Sequence, residues 1–235
     1  MTAQRFAIFE TAVGPCGIGW GQHAIIGVAL PEADAASTRT RLLRRLPDAR
    51  EALPPPHVRK VIDAIVALLH GEPIDLSWVA LDMDGVPAFD RRVYEIARAI
   101  PAGATRTYGQ IAEQLQHDPE KWEPVFGKRS CSNKEVERDD DSKKNHPALT
   151  RESYPSPEWG LAREVGQALG RNPFPIIVPC HRVLAASGKA GGFSARGGVA
   201  TKLRLLSIER ARTSDAPGLF EGELAFALKP SARRS

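Results

Sequence analysis

The stretch NPFPIIVPCHRVLAASG, residues 172–188, sets a cysteine between a proline and a histidine after four apolar positions and three prolines. Pro173, Pro175 and Pro179 each fix φ and remove a backbone donor, which predicts a rigid extended run into Cys180. A cysteine is ordinarily a small buried hydrophobe. A stiff backbone on one side and an imidazole on the other suit a nucleophile better. His181 would raise the thiolate fraction by accepting the thiol proton, directly or through water. Adjacent side chains of an extended strand point to opposite faces, so direct contact requires a turn at this point. A carboxylate should orient the ring, and Glu95, Glu164 and Glu209 are the candidates. Two chemistries are open. A Cys–His hydrolase would need an oxyanion hole, for which the glycine-rich AGGFSARGG of residues 190–198 offers donors. An alkyl-group acceptor would attack saturated carbon with a soft thiolate and need no such hole.

Outward from this segment, the 235-residue chain carries a net charge of +4 and a pI near 9.1, compatible with a polyanionic partner. Its three cysteines, Cys16, Cys131 and Cys180, are too few and too irregular for a disulfide framework. Cys131 and His146 lack a second pair at finger spacing, so no metal is expected. No basic segment followed by an apolar one opens the chain, and no run approaches about 18 apolar residues. The expectation is a soluble, intracellular protein with no membrane contact.

Residues 6–30 alternate short apolar runs with glycine, predicting an antiparallel meander. Helices are predicted from Ala35 to Leu46, stopped by Pro47, and from His57 to Leu69, closed by Gly71 and Pro73. Leu76–Leu81 is predicted as a last strand. Residues 1–84 thus read as a small α+β domain without chemistry of their own.

Residues 85–210 read as a mainly helical domain. Its helices begin near Phe89, at Tyr108, at Leu161 and at Val199, with Thr107 placed to cap the second. Between the second and third lie residues 118–158, with ten acids, eight bases and few aliphatics, the composition of a solvated loop. Without that segment the rest of the chain carries +6. The tail, 211–235, offers no chemistry.

From Phe89 to Glu209, apart from the insertion, the chain resembles the catalytic domain of the O6-alkylguanine-DNA alkyltransferases, or methylated-DNA–protein-cysteine methyltransferases. PCHRV at 179–183 matches the active-site signature of that family, and GRNPFPIIVP, GGFS and KLRLLSIE match in type and order. Residues 1–84 resemble the family's less specific N-terminal domain, without the zinc ligands that some members carry. The resemblance implies an α+β protein with a helix-turn-helix, here interrupted by the insertion. It also implies irreversible, stoichiometric transfer of the alkyl group from O6-alkylguanine in double-stranded DNA to Cys180, with no cofactor; because flipping one base needs one pocket, the expectation is a monomer.

Carried residue by residue, the resemblance makes His181 the base, acting through water, Glu209 its orienting acid and Asn172 the shaper of the active-site turn. Tyr108 turns the 3′ phosphate and meets the flipped base, and Arg163 fills the space it vacates. Phe193 replaces a tyrosine as pocket wall, and Ser194 and Lys202 line the guanine pocket. Arg106, Arg163, Arg171 and Arg196 are candidates for phosphate contact. The insertion is the departure from the pattern. It would bulge outward harmlessly, weaken DNA engagement or folding, or be displaced sequence; comparing duplex binding by a chain lacking residues 118–158 separates the first from the others. The rival reading is a non-catalytic DNA-damage-binding protein, as relatives without the acceptor cysteine are.

Overall fold

The computed structural model describes residues 4–117, 157–188 and 190–211. The predicted meander is β1 (Arg5–Phe9), β2 (Cys16–Trp20) and β3 (Ile25–Ala29), antiparallel throughout, with Phe9 opposite Cys16 and Gly17 opposite Ala29. Helix α1 (Ala35–Arg45) begins where the Asp34 carboxylate accepts the Ser37 N–H at 2.7 Å, an N-cap. A short strand that the sequence pattern did not announce, β4 (Arg50–Glu51), then pairs parallel to β1 and completes the order β3-β2-β1-β4. Two residues are too few to show a period.

Helix α2 (Pro56–Leu69) starts at a proline in its first turn and buries Val58, Val61, Ile62, Ile65, Leu68 and Leu69, the stripe its spacing predicts. The strand expected over Leu76–Leu81 does not form. Only Leu81 bridges to Ile25, because the Arg98 guanidinium takes up the carbonyls of Leu76, Ser77 and Val79 and an Asp75–Ser77 turn bends the chain. Side-chain hydrogen bonds, one set local and the other from Arg98, have replaced the ladder.

The helical part comprises α3 (Ala88–Arg98), α4 (Tyr108–Gln116), α5 (Pro157–Arg171) and α6 (Val199–Ile208). A two-stranded parallel ladder, β5 (Arg106–Thr107) with β6 (Val183–Leu184), ties the start of α4 to the segment just after Cys180. The fold is therefore α+β, a mixed sheet with two helices followed by a mainly helical part, and α4 and α5 form the helix pair of a helix-turn-helix. Helix α5 begins at Pro157, so the last two residues of the 118–158 segment are helical, and its other residues lie outside those described. So do Cys131, His146 and, beyond Ala211, the tail.

One apolar core joins the two parts, with Ile18, Val58 and Ile65 packed in the same cluster as Val93, Ile111, Val165 and Cys180. A smaller cluster, Phe6, Ala29, Leu42, Leu46 and Ala49, lies beneath α1. No helix among the described residues is long and apolar enough to cross a membrane.

Candidate active site

Cys180 does not continue an extended run. The chain turns there, and Cys180–Arg182 form a single 3₁₀ turn that hands over to β6. The turn is prepared by Asn172, which is buried and uses both ends of its amide. Its Nδ2 donates to the Val178 carbonyl at 2.9 Å and its Oδ1 accepts the Phe174 N–H at 2.8 Å. Between these anchors Ile176 is held at φ 77°, a left-handed conformation that a β-branched residue adopts only at a cost of about 1–3 kcal/mol. The prolines stiffen the approach, and the asparagine holds it bent.

His181 is 1% exposed. Its Nε2 lies 2.9 Å from Oε1 of Glu209, so of the three candidate carboxylates Glu209 is the one that meets the ring. Glu95 instead pairs with Arg92 on α3. Since a carboxylate only accepts, Nε2 carries the proton and Nδ1 keeps its lone pair. Nδ1 is buried and has no hydrogen-bond partner among the described residues. Burial holds the His181 pKa below 6.5 against the opposing pull of Glu209, so the ring is neutral and able to accept a proton. Burial alone would raise the Glu209 pKa, but hydrogen bonds and charge from His181 and Arg182 outweigh it and bring the group down to about 2.

Arg182 is a member of the site that sequence reasoning passed over, although it stands inside PCHRV. Its Nε and Nη2 fork onto both oxygens of Glu209 at 2.8 Å, and Nη1 donates to the Ile100 carbonyl. The fork fixes the acid that fixes the imidazole.

Around Cys180 itself, burial raises the thiol pKa, while the Asn172 amide and the Lys202 charge work against it. The resting sulfur is therefore a protonated thiol. Lys202 is fully buried, donates to the Val183 carbonyl and stands 5.7 Å from the centre of the Tyr108 ring. Desolvation brings its ammonium down to about 8, against the opposing influence of Cys180. Tyr108, whose hydroxyl pKa is raised by burial and then by Cys180, opens α4 behind a complete capping box: Thr107 Oγ1 accepts the Gln110 N–H and Gln110 Oε1 accepts the Thr107 N–H. Beside the ring lies Gly191, at φ 63°, a left-handed conformation that favours glycine; a Cβ there would meet the ring at 3.4 Å, ordinary contact, so it is conformation rather than room that asks for glycine.

The other predicted residues divide. Phe193 and Ser194 line a pocket with Cys180 and Asn172. Arg163 is exposed on α5, Arg196 is exposed beside α6, and Arg106 is half-buried against Gln114. Arg171 is engaged elsewhere, its guanidinium forked onto the buried Asp90 with both bonds at 2.8 Å, which pins α5 to α3 together with the bond from the Tyr94 hydroxyl to the Ala168 carbonyl. No cluster of potential metal ligands occurs among the described residues.

The profile of the 6-O-methylguanine DNA methyltransferase DNA-binding domain matches residues 88–127 and 158–211, leaving out the central part of the insertion. A methylated-DNA–protein-cysteine methyltransferase of Mycobacterium bovis is 33% identical over 160 residues, 68% of this chain and 70% of the relative. A DNA base-flipping protein of Thermus thermophilus is 29% identical over 170 residues, 72% of this chain and 82% of the relative. Among solved structures, Mycobacterium tuberculosis OGT in complex with DNA superposes with a TM-score of 0.56 at 27% identity, over 90% of this chain and 96% of that one.

Proposed function

The chain belongs to the methylated-DNA–protein-cysteine methyltransferase family, and from that membership and the surroundings of Cys180 we propose that it removes the alkyl group from O6-alkylguanine in duplex DNA by transferring it to Cys180. Its general function is DNA repair of the alkyltransferase type, with DNA as partner. The observation that carries the finer reading is the buried, neutral imidazole on the residue next to Cys180, with its Nε2 proton committed to Glu209 and its Nδ1 without a partner among the described residues.

In the proposed reaction the His181 Nδ1 lone pair takes the Cys180 proton, directly or through a water, as the lesion enters. The sulfur then attacks the alkyl carbon. An S–C bond forms, the C–O6 bond breaks, and its electron pair stays on the guanine oxygen as the base regains a proton. Tyr108 and Lys202, whose ammonium stands 5.7 Å from the Tyr108 ring, are assigned to the base as its hydroxyl and ammonium donors. The thioether product has no group to hydrolyse it, so each monomer acts once and needs no cofactor.

To reach Cys180 the guanine must leave the duplex, at a cost of a few kcal/mol. Arg163, exposed on α5, is assigned to the vacated space and Tyr108 to the 3′ phosphate. Arg106 and Arg196 are assigned to other phosphates. Arg171, held by Asp90, is assigned to holding α5 in place. Phe193 and Ser194 are assigned to the wall of the base pocket, and a protein that reads damage rather than sequence should use the minor groove, phosphates and deformability, so its sequence preference should be small.

Intact mass after incubation with an O6-methylguanine duplex tests the reading. One methylene should be added once per chain, and Cys180→Ser should add none. Tight binding without added mass would favour the DNA-damage-binding alternative, and repeated turnover of an ester would favour a hydrolase.

A further inference from the structure

One wall of the Cys180 pocket comes from the other end of the chain, where Val28, Leu30, Arg41 and Arg45 face Asn172 and Cys180. Three backbone carbonyls around the thiol are bound from that side. The Val28 N–H donates to Pro173 at 2.9 Å, Arg45 Nη1 to Asn172 at 3.3 Å and Arg41 Nη2 to Ser194 at 3.1 Å. Asn172 and Pro173 begin the bent segment that leads into Cys180, and Ser194 belongs to the glycine-rich loop across from it. Arg41 is itself held by Glu32, 2.7 Å away, and the four-residue spacing puts Arg41 and Arg45 on one face of α1. Both guanidiniums thus span from a helix with no reacting group to the two segments between which the sulfur sits.

We propose that Arg41 and Arg45 are positioning residues for alkyl transfer, holding through the Ser194 and Asn172 carbonyls the two backbone segments that set the pocket around Cys180. The inference rests on the proposed transfer to Cys180. Neither arginine touches the reacting atoms, and each acts on the distance and angle at which sulfur meets the alkyl carbon, where a misplacement of about 1 Å can cost a factor of about 100.

The test uses the full chain with Arg41→Met, Arg45→Met and, as a control on the same helix, Arg39→Met, whose native partner is Glu51. Three quantities are read: the single-turnover transfer rate at saturating O6-methylguanine duplex, the affinity for undamaged duplex, and the rate at which iodoacetamide labels Cys180, followed by peptide mass. Arg41→Met and Arg45→Met should each lower the saturating rate about tenfold, leave duplex affinity within about twofold, and speed labelling about threefold or more as the loop is released. Arg39→Met should change none of these. Arg41→Lys keeps a charged donor and should recover part of the rate, which also serves if a methionine variant does not fold.

The proposal is overturned if folded variants keep the native rate and labelling. It is overturned as well if affinity falls at an unchanged saturating rate, which would make the arginines phosphate contacts, or if Arg39→Met gives the same loss. A wild-type chain that transfers nothing would sink the proposed function and with it the role in transfer, while iodoacetamide labelling would still decide whether the two arginines hold the segments around Cys180.

Discussion

Cys16 and Cys180 share a dipeptide, each following a proline, and both are buried, yet they sit in different chemistry. Cys16 starts β2 with no exposure, and burial, countered only by a hydrogen bond from Thr11, pushes its thiol up to about 12. Cys180 is 8% exposed in a 3₁₀ turn, and its thiol is raised as well, again mainly by burial. Resting acidity therefore does not separate them. What differs is the company. Cys180 has the Asn172 amide and the Lys202 charge acting on its thiol, a pocket beside it and a neutral imidazole on the next residue, whereas Cys16 has a hydroxyl and the sheet. A buried thiol is inert until a base and an entrance are built around it.

The largest effect expected from this contrast is all-or-none. Cys180→Ser should abolish addition of mass from a methylated duplex. Cys16→Ala should leave the transfer rate within about twofold and cost only about 1 kcal/mol in thermal or urea denaturation, as a small core truncation does. Full activity in the first variant, or none in a folded second, would break the comparison outright.

Next in size is the base. His181→Gln keeps a polar group of similar reach but cannot accept the proton, so the quenched single-turnover rate should fall by about 10²–10⁴. Cys180 would then be a second Cys16, buried and without a partner to deprotonate it. A native rate in the glutamine variant would transfer the role to Lys202 or Tyr108.

The difference between the two cysteines was only partly legible in the sequence. PCHRV carried the acceptor, its neighbour and the resemblance, and the period of Val58 to Leu69 carried a whole helix. The acid was not fixed by spacing, because Glu209 reaches His181 across 28 residues and only the end of α6 brings it there. The prolines suggested extension, but the bend depends on a tertiary clamp by Asn172 and on a φ of 77° at Ile176, a conformation no propensity favours. Likewise Leu76–Leu81 had a strand's apolar content, and Arg98, from a distant helix, took its carbonyls. Arg171 read as a candidate phosphate contact because its partner, Asp90, lies 81 residues away. Local pattern predicts elements, while long-range polar bonds decide which of them open or close a site.

Glu209 tests how far the surroundings of Cys180 are structural as well as chemical. Its pKa is depressed from 4.5 to about 2, so its contribution to stability is fully present above pH 4.5 and is lost as pH falls towards 2, where the folded state must take up the proton. Glu209→Gln leaves the buried Arg182 fork without its counter-charge, which should cost about 3–5 kcal/mol near neutral pH. Urea denaturation from pH 7 to pH 3 should show the wild type losing its advantage over the variant as acid is added. A gap that stayed constant with pH would mean that Glu209 acts by packing alone. Nothing comparable is expected around Cys16, which has no ion pair beside it among the described residues.

The smallest effect concerns Tyr108. Its ring stands between Lys202 and Gly191 only because α4 begins at residue 108, and α4 begins there because Thr107 and Gln110 close a capping box. Removing the hydroxyl in Thr107→Ala leaves a first-turn N–H unsatisfied and should cost about 1 kcal/mol in urea denaturation, with Thr107→Ser recovering most of it. The cap also carries the β5–β6 ladder that binds the start of α4 to Val183 and Leu184, directly after the 3₁₀ turn of Cys180. Fraying of this end should therefore slow transfer as well as lower stability, while the same loss of stability caused by Cys16→Ala should not. Equal transfer rates in the two variants would show that the start of α4 is only scaffold.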